Sequence, residues 1–132
     1  MIKPPKIVVY LWTSPTTLAG CLLLVPTLCT GGQCRVVDGV LEVWGGFASF
    51  FLQHCTLLKG GASAMTFGHV VLARDAFLLE LTRSHERVHV RQAERWGPLF
   101  IPAYLLSSLA LKLRGRDAYR DNPFEREAYE NS

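Results

Sequence analysis

The stretch Ser84-His85-Glu86-Arg87-Val88-His89 carries the pattern H-E-x-x-H within a run of helical character. Residues four apart on a helix lie on one face, so His85 and His89 can present two imidazole nitrogens to one metal ion, with Glu86 close by. Two neutral nitrogen ligands and a third protein ligand suit zinc and leave one tetrahedral position for water, whose proton Glu86 can accept. The pattern predicts a catalytic zinc site, and the alternative is a pair of surface histidines among salt bridges.

The helical pattern around this motif begins near Asp75 and ends at Trp96, where Gly97-Pro98 stops it. Residues at steps of three or four form a stripe that we expect to face inward. This stripe contains Leu78, Leu81, His85, Val88, His89, Gln92 and Trp96. The opposite face contains Arg83, Arg87, Arg91, Glu94 and Arg95. Both motif histidines fall on the inward stripe, where buried imidazoles need partners, and this favours metal binding.

Two β-rich stretches precede the motif helix. Residues 35–44 hold Asp38-Gly39 between two valine-rich runs, and this dipeptide accepts the positive φ angles of a type I′ turn, so we predict a short β-hairpin. Residues 65–73 predict a strand just before the motif helix, where an edge strand could pair with an extended peptide. His69 on this strand is a candidate substrate-binding residue, and the alternative is a histidine hydrogen-bonded in place.

Two apolar stretches lie in the N-terminal half. Residues 47–58 predict a short helix that Lys59-Gly60-Gly61 closes. Residues 7–32 contain no charged residue and follow Lys3 and Lys6. Since about 20 helical residues cross a hydrocarbon core about 30 Å thick, this run predicts a transmembrane or deeply membrane-embedded segment.

The best helix in this N-terminal segment is expected from Pro15 towards Cys29, because Ser14-Pro15 suits a helix start. The alternatives are a lipoprotein cleavage box at Leu18-Ala19-Gly20-Cys21 and a buried helix of a soluble core. We expect a membrane-associated protein, in a bacterial inner membrane. The positive-inside rule places the N-terminus in the cytoplasm, but it acts on few charges here and the sidedness stays open.

A second apolar segment, residues 98–113, would be about 24 Å long as a helix, which is short for a membrane crossing. Asn122 and Pro123 then suit an N-cap and a first helical residue, so a short helix carrying Glu125 and Glu127 is predicted. These glutamates lie about 200° apart on a helix, so at most one of them can face the motif histidines as the third ligand. Glu125 can alternatively complete a capping box with Asn122.

His85-Glu86-x-x-His89 followed, beyond an intervening helix, by Glu125-x-x-Ala128 resembles the gluzincin metallopeptidases, over roughly residues 65–129. The resemblance implies a Zn²⁺ cofactor, Glu125 as the third ligand with Glu127 as second choice, Glu86 as the general base, and a peptide or protein substrate. Tyr129 stands where the membrane-linked branches of that group have an aspartate that orients a ligand histidine, and such orientation matters to metal affinity.

The expected fold is α+β. Residues 34–132 form a minimal zincin-like, metal-binding domain, in which a short β-hairpin and an edge strand pack on the H-E-x-x-H helix, and residues 1–33 form the N-terminal membrane segment. A metal shared by both histidines and Glu125 requires residues 98–113 to fold back without crossing the membrane. The predicted function is that of a membrane-associated zinc-dependent metallopeptidase. The alternatives are a non-catalytic, zinc-stabilised membrane protein and an interaction module.

Composition limits the other possibilities. The chain has 132 residues, enough for one domain, and its net charge of +3 comes from scattered basic residues, so a nucleic-acid partner is not expected. The mean hydropathy of +0.19 is high for a small soluble protein and indicates contact with membrane lipid. Four cysteines without a C-x-x-C pair predict buried free thiols; they are Cys21, Cys29, Cys34 and Cys55.

Overall fold

A computed structural model describes residues 5–56 and 61–132. Over these residues the chain forms five α-helices, four strands and one turn of 3₁₀ helix, which confirms the α+β class. In chain order the elements are α1 (Lys6–Cys29), β1 (Gln33–Val37), β2 (Val40–Trp44), α2 (Gly46–His54), β3 (Ala64–Phe67), β4 (Val70–Ala73), α3 (Ala76–Trp96), the 3₁₀ turn (Gly97–Leu99), α4 (Phe100–Leu113) and α5 (Pro123–Asn131).

The four strands form one mixed sheet in the order β1-β2-β4-β3. The predicted hairpin is confirmed as the antiparallel pair β1 and β2, whose turn has positive φ at both Asp38 (51°) and Gly39 (77°). The prediction of one strand over residues 65–73 is wrong. Gly68, at a φ of 62°, reverses the chain there and makes β3 and β4 an antiparallel hairpin, which leaves β3 at the edge of the sheet.

Side-chain alternation along the strands builds a core on each face of the sheet. Val43, Val70 and Leu72 pack with residues of α1 and α2. On the other face, Val71 and Ala73 pack with residues of α3. The motif helix is therefore held directly against one face of the sheet, with α1 and α2 on the opposite face.

Helix α1 begins at Lys6 rather than at Pro15, and Pro15 lies inside it. A proline inside a helix leaves the carbonyl four residues earlier without its usual donor, and the Ser14 hydroxyl donates to the carbonyl of Leu11, 2.8 Å away. The helix packs against the sheet and α2. Lys3, one of the two lysines that precede the predicted membrane segment, lies outside the described residues.

Helix α3 has the predicted bounds, because the Asp75 carboxylate accepts a hydrogen bond from the Leu78 amide (2.8 Å) and Gly97 follows its last residue. The inward stripe is only partly as predicted. Val88, His89 and Gln92 are buried, whereas Leu81 and Trp96 are exposed. The fully enclosed residues include Leu79 and Ala93, because the sheet and α5 both pack on this helix.

The predictions for α2, for the cysteines and for the apolar helices had different outcomes. Helix α2 ends at His54, and the predicted stop at Lys59-Gly60 lies outside the described residues. All four cysteines are free, as expected, but three of them are exposed, so their predicted burial is wrong: Cys29 ends α1, Cys34 lies on β1 at the edge of the sheet, and Cys55 follows α2. Within the described residues, two helical runs are long and apolar enough to cross a membrane: Lys6–Cys29 and Ala76–Leu113.

Candidate metal centre

The structure brings both motif histidines and the first of the two candidate glutamates together. Nε2 of His85 lies 2.9 Å from Oε1 of Glu125, and Nε2 of His89 lies 3.0 Å from the same oxygen. His89 and Glu125 are buried, and His85 is half-buried. The three ligand atoms lie within 4.8 Å of one another, so this group could hold a metal ion.

The N-terminus of α5 places Glu125 at this point. Asn122 caps the helix by accepting a hydrogen bond from the Phe124 amide (2.9 Å), as its sequence position predicts. Its amide nitrogen also donates to the carbonyl of Tyr104 (3.1 Å) and to the Ser108 hydroxyl (2.8 Å), both on α4. Because Asn122 is completely buried in these contacts, the start of α5 is fixed against α4 and Glu125 is held in the first turn of α5.

Glu127, the second choice of ligand, belongs to a different group of contacts. Its Oε1 accepts hydrogen bonds from Gln92 (2.8 Å) and from Arg95 (3.0 Å). The pKa of Glu127 is lowered, first by the hydrogen bond from Gln92 and despite some burial. Glu127 is not part of the cluster of His85, His89 and Glu125, and instead links α5 to α3 through the buried Gln92 and the exposed Arg95.

The two motif histidines are oriented differently. Nδ1 of His89 lies 2.8 Å from Oε1 of Gln92, one turn further along α3. Nδ1 of His85 is buried, and the described residues offer it no hydrogen-bond partner. The ring of Tyr129 packs on His85 with the centroids 4.4 Å apart, and its hydroxyl lies 2.9 Å from the hydroxyl of Tyr119. The position where the resemblance expects an orienting aspartate therefore supplies ring contact in place of a hydrogen bond.

Tyr104 completes the surroundings of Glu125 from α4. Its hydroxyl donates to Oε2, so Oε1 alone faces the two histidines. Burial raises the pKa of Glu125, but hydrogen bonds with His85, His89 and Tyr104 outweigh it and lower the pKa to about 2. The pKa of Tyr104 is raised, chiefly by burial, so its hydroxyl stays protonated and remains a donor.

The electrostatics of the cluster are those of an anionic carboxylate between two imidazoles. Burial lowers the pKa of His89, but its hydrogen bond with Glu125 and the charges of Glu86 and Glu125 outweigh burial and raise the pKa to about 9. Negative charge at the site therefore stabilises a cation held between these residues. A metal ion bound there would take the place of the imidazolium proton.

Glu86, the predicted general base, is buried beside the cluster with 4% of its surface exposed. Its Oε1 accepts a hydrogen bond from the Thr66 hydroxyl on β3 (3.1 Å), and its Oε2 lies 3.8 Å from Nε2 of His85. Burial raises the pKa of Glu86, against the lowering effect of the nearby histidines. A carboxyl group with a raised pKa next to a metal-ligand cluster suits a proton acceptor and donor.

His69 does not lie in this cluster. It occupies the turn between β3 and β4, where its amide donates to the Thr17 hydroxyl (3.1 Å) and its Nε2 lies 3.1 Å from Oε2 of Glu94. Its ring stacks on Tyr10 at a centroid distance of 4.1 Å. Glu94 is five residues after His89 and about 140° around α3, so these contacts place His69 on another side of the helix. Its position matches the alternative of a histidine hydrogen-bonded in place.

Two of the three distances within this cluster are compatible with a bound metal ion. Tetrahedral ligands about 2.1 Å from a zinc ion lie about 3.4 Å from one another. The two distances between histidine nitrogens and Glu125 Oε1 are 2.9 and 3.0 Å, so a shift of a few tenths of an ångström admits the ion. Two imidazoles and one carboxylate also form a set of donors that zinc prefers.

A buried carboxylate that the sequence analysis missed holds the motif helix on the sheet. Glu42 on β2 is completely buried, and it accepts hydrogen bonds from Arg83 (2.8 and 2.9 Å), Arg87 (3.0 Å) and Arg35 (3.2 Å). Burial raises the pKa of Glu42, but these three arginines outweigh it and lower the pKa to about 2. Since Arg87 lies inside the H-E-x-x-H motif, these hydrogen bonds fix the position and rotation of α3 relative to the sheet.

Three further residues of the site were not assigned these roles from sequence: Thr66, Gln92 and Tyr104. Gln92 carried a usable signal, because it follows His89 by three residues on the same stripe. Tyr104 also carried a sequence signal. It is a tyrosine in an otherwise apolar segment, and a buried tyrosine hydroxyl needs a hydrogen-bond partner. The partner of Thr66 depends on the β3–β4 hairpin, which the sequence analysis did not predict.

No protein-family model, curated protein or solved structure matches the chain. The function proposed below therefore rests on the geometry of the site and on the motif spacing.

Proposed function

We propose that this protein is a small zinc-dependent metallopeptidase of the gluzincin type. The convergence of His85, His89 and Glu125, with Glu86 buried beside them, is the single observation that carries this proposal. The zincin-like interpretation of the fold belongs to the same proposal. It is supported by the position of α3 against a sheet whose edge strand, β3, contacts the motif.

Each residue has a role in the proposed chemistry. Nε2 of His85, Nε2 of His89 and Oε1 of Glu125 would hold the zinc ion. When bound, zinc polarises a scissile carbonyl and lowers the pKa of a coordinated water to about 7. Glu86 accepts the proton of the attacking water and returns it to the leaving amine, and its raised pKa suits both transfers. Thr66 holds the Glu86 carboxylate in place through its hydroxyl.

The edge of the sheet suits an extended peptide substrate. β3 pairs with β4 on one side only in the described sheet, so its other side has backbone groups available for an added strand. Thr66, which contacts Glu86, is on this strand. A peptide paired along β3 would therefore pass close to the general base.

The decisive experiment combines metal analysis with a charge-neutral variant of the base. Purified wild-type protein should contain one zinc ion per chain and hydrolyse members of a broad peptide library. Glu86→Gln should keep the zinc and lose the hydrolysis, whereas the control Glu80→Gln, on the same helix with a side chain 66% exposed, should keep both. Absence of zinc from wild-type protein, or full hydrolysis by Glu86→Gln, would overturn the proposal.

A second candidate function is a structural zinc site without catalysis. It is favoured by one observation, the replacement of the orienting aspartate by Tyr129, which leaves Nδ1 of His85 without a hydrogen-bond partner among the described residues. In that case zinc would be present and chelation would lower the melting temperature, but wild-type protein would hydrolyse no peptide in the library.

A further inference from the structure

The polarity of α1 is reversed relative to a helix that covers a core in water. Its four buried residues are three threonines and a glycine: Thr13, Thr16, Gly20 and Thr27. Its exposed large aliphatic residues are Ile7, Val8, Leu11, Leu18, Leu22, Val25 and Leu28, and the half-exposed Tyr10 and Trp12 flank this outer face and contact the hairpin turn and the end of α3. A helix on a water-exposed surface carries its apolar stripe inward and its polar residues outward. This arrangement therefore indicates that the outer face of α1 meets an apolar medium.

The inner face of α1 packs against the sheet and α2, and contacts near each end of the helix join it to the β1–β2 hairpin. Near the N-terminus of the helix, the Tyr10 hydroxyl donates to the carbonyl of Gly39, in the hairpin turn (2.9 Å). Near its C-terminus, the Gly32 amide donates to the carbonyl of Thr27, at the base of the hairpin (2.8 Å). Between them, Gly20 lies so close to β4 that a Cβ atom there would lie 2.7 Å from Cβ of Val70. The hairpin and α1 therefore run side by side.

This side-by-side packing argues against a membrane crossing. A helix of 24 residues is about 36 Å long, enough to span a bilayer, but a crossing would carry the hairpin into the hydrocarbon with it. β1 is the outer strand of the sheet and carries the partly exposed guanidinium of Arg35. An open sheet edge is not stable in hydrocarbon, and a partly exposed charged side chain is costly there even when it is paired. The helix can meet lipid only with its outer face.

The shape and charge of this outer face favour lipid over a second protein chain. At 100° per residue, the exposed aliphatic residues of α1 cover roughly 160° of the helix, which is wider than the narrow seam of a coiled coil. Helix α4 also has an exposed apolar face, formed by Leu105, Leu106, Leu109 and Leu113, while Ser108 and Phe100 are buried. The two helices are connected, because Trp12 packs against Gly97 in the turn before α4. Basic residues follow the apolar part of α4, namely Lys112, Arg114 and Arg116, and they suit anionic headgroups.

We propose that α1 lies in the plane of one membrane leaflet, with its outer face in the acyl region and the sheet above it, and that α4 contacts the same leaflet. The attachment is monotopic and favours anionic lipid. It does not depend on the metal site, so it stands or falls separately from the proposed peptidase activity.

Vesicle binding tests the surface. Full-length protein should float with sealed vesicles of phosphatidylcholine and phosphatidylglycerol. Leu22→Glu, at a side chain 76% exposed on α1, should weaken binding on the order of tenfold or more. Val36→Glu is the matched control, because Val36 is 71% exposed but lies on β1, and it should bind as wild type. Equal binding by both variants with unchanged melting temperatures, or a lipid-free dimer that Leu22→Glu dissociates, would overturn the proposal.

Accessibility of the two ends of α1 tests the orientation. The native Cys34 on β1 reports on the C-terminal side, and Lys6→Cys reports on the N-terminal side, each as the only cysteine in a variant with the others changed to serine. A membrane-impermeant maleimide added outside sealed vesicles should label both positions fully. Protection of either position until detergent is added would show a crossing helix and would contradict the in-plane orientation.

Discussion

Tyr129 packs its ring on His85 at a centroid distance of 4.4 Å, on the one ligand histidine whose Nδ1 has no hydrogen-bond partner among the described residues. The other ligand histidine, His89, has Gln92 for this purpose. The two imidazoles of the proposed zinc site are therefore unequally supported. This asymmetry leads to the first prediction.

Tyr129→Asp should raise zinc affinity, because a carboxylate at this position can accept a hydrogen bond from Nδ1 of His85. Interactions of this kind change metal affinity by about 10- to 100-fold. A competition titration against a chelating dye measures the change. Tyr129→Asn is the control for loss of the ring. Equal affinities of the Asp and Asn variants would contradict the prediction.

Tyr104→Phe should lower zinc affinity by about tenfold, because Oε2 of Glu125 loses its donor and the carboxylate can rotate away from the histidines. The same titration measures this effect. Tyr119→Phe is the matched control, since the Tyr119 hydroxyl pairs with Tyr129 and not with Glu125. An unchanged affinity in Tyr104→Phe, with the fold intact by circular dichroism, would show that Tyr104 does not position the ligand.

Stability should fall in acid partly through Glu42. Its pKa is about 2 in the folded protein and 4.5 as its ordinary value, so the unfolded chain takes up the proton first as the pH falls. The contribution, on the order of 3 kcal/mol, is present above about pH 5 and is lost as the pH approaches 2. Denaturant unfolding between pH 7 and pH 3 should show a shallower pH dependence for Glu42→Gln than for wild type. Parallel curves would exclude this role.

Gly20→Val should lower the free energy of unfolding by about 1–3 kcal/mol, because an added Cβ would lie 2.7 Å from Cβ of Val70 and 2.9 Å from Cβ of Phe67. Thermal unfolding measures the loss. Ala19→Val, at the neighbouring half-buried position, is the control for a branched residue in the helix. Equal melting temperatures of the two variants would mean that α1 does not pack on the sheet at Gly20.

Local sequence signals were sufficient to predict one turn and the ends of two helices. Asp38-Gly39 predicted the hairpin turn, Asp75 and Gly97 bounded α3, and Asn122 with Pro123 began α5, because each acts on backbone groups within a few residues. The approach of Glu125 to the histidines was anticipated from motif spacing and from the resemblance.

What the sequence did not reveal depends on contacts between distant segments. The break at Gly68 was not predicted, because one glycine within a mostly apolar run does not by itself indicate a turn; in the structure Gly68 has a φ of 62° and Thr17 packs directly against it. In the sequence, Glu42 looks like the exposed polar residue of an alternating strand. It can be buried because arginines about 40 residues later in the chain bind its carboxylate. The buried threonines of α1 were not predicted, because the overall hydropathy of a long apolar segment does not show which face of the helix is buried.

The ligand glutamate lies 40 residues beyond the first ligand histidine. A metal ion bound by both would act as a cross-link that closes a loop of that length, in the way that a disulfide does. For such a loop, the lost entropy of the unfolded chain corresponds to about 4 kcal/mol. The segment that this loop encloses contains α4, the helix proposed to touch lipid. Loss of the metal would therefore lower the free energy of unfolding of the C-terminal part of the chain, whereas the membrane contact of α1, which lies outside this loop, would not depend on it.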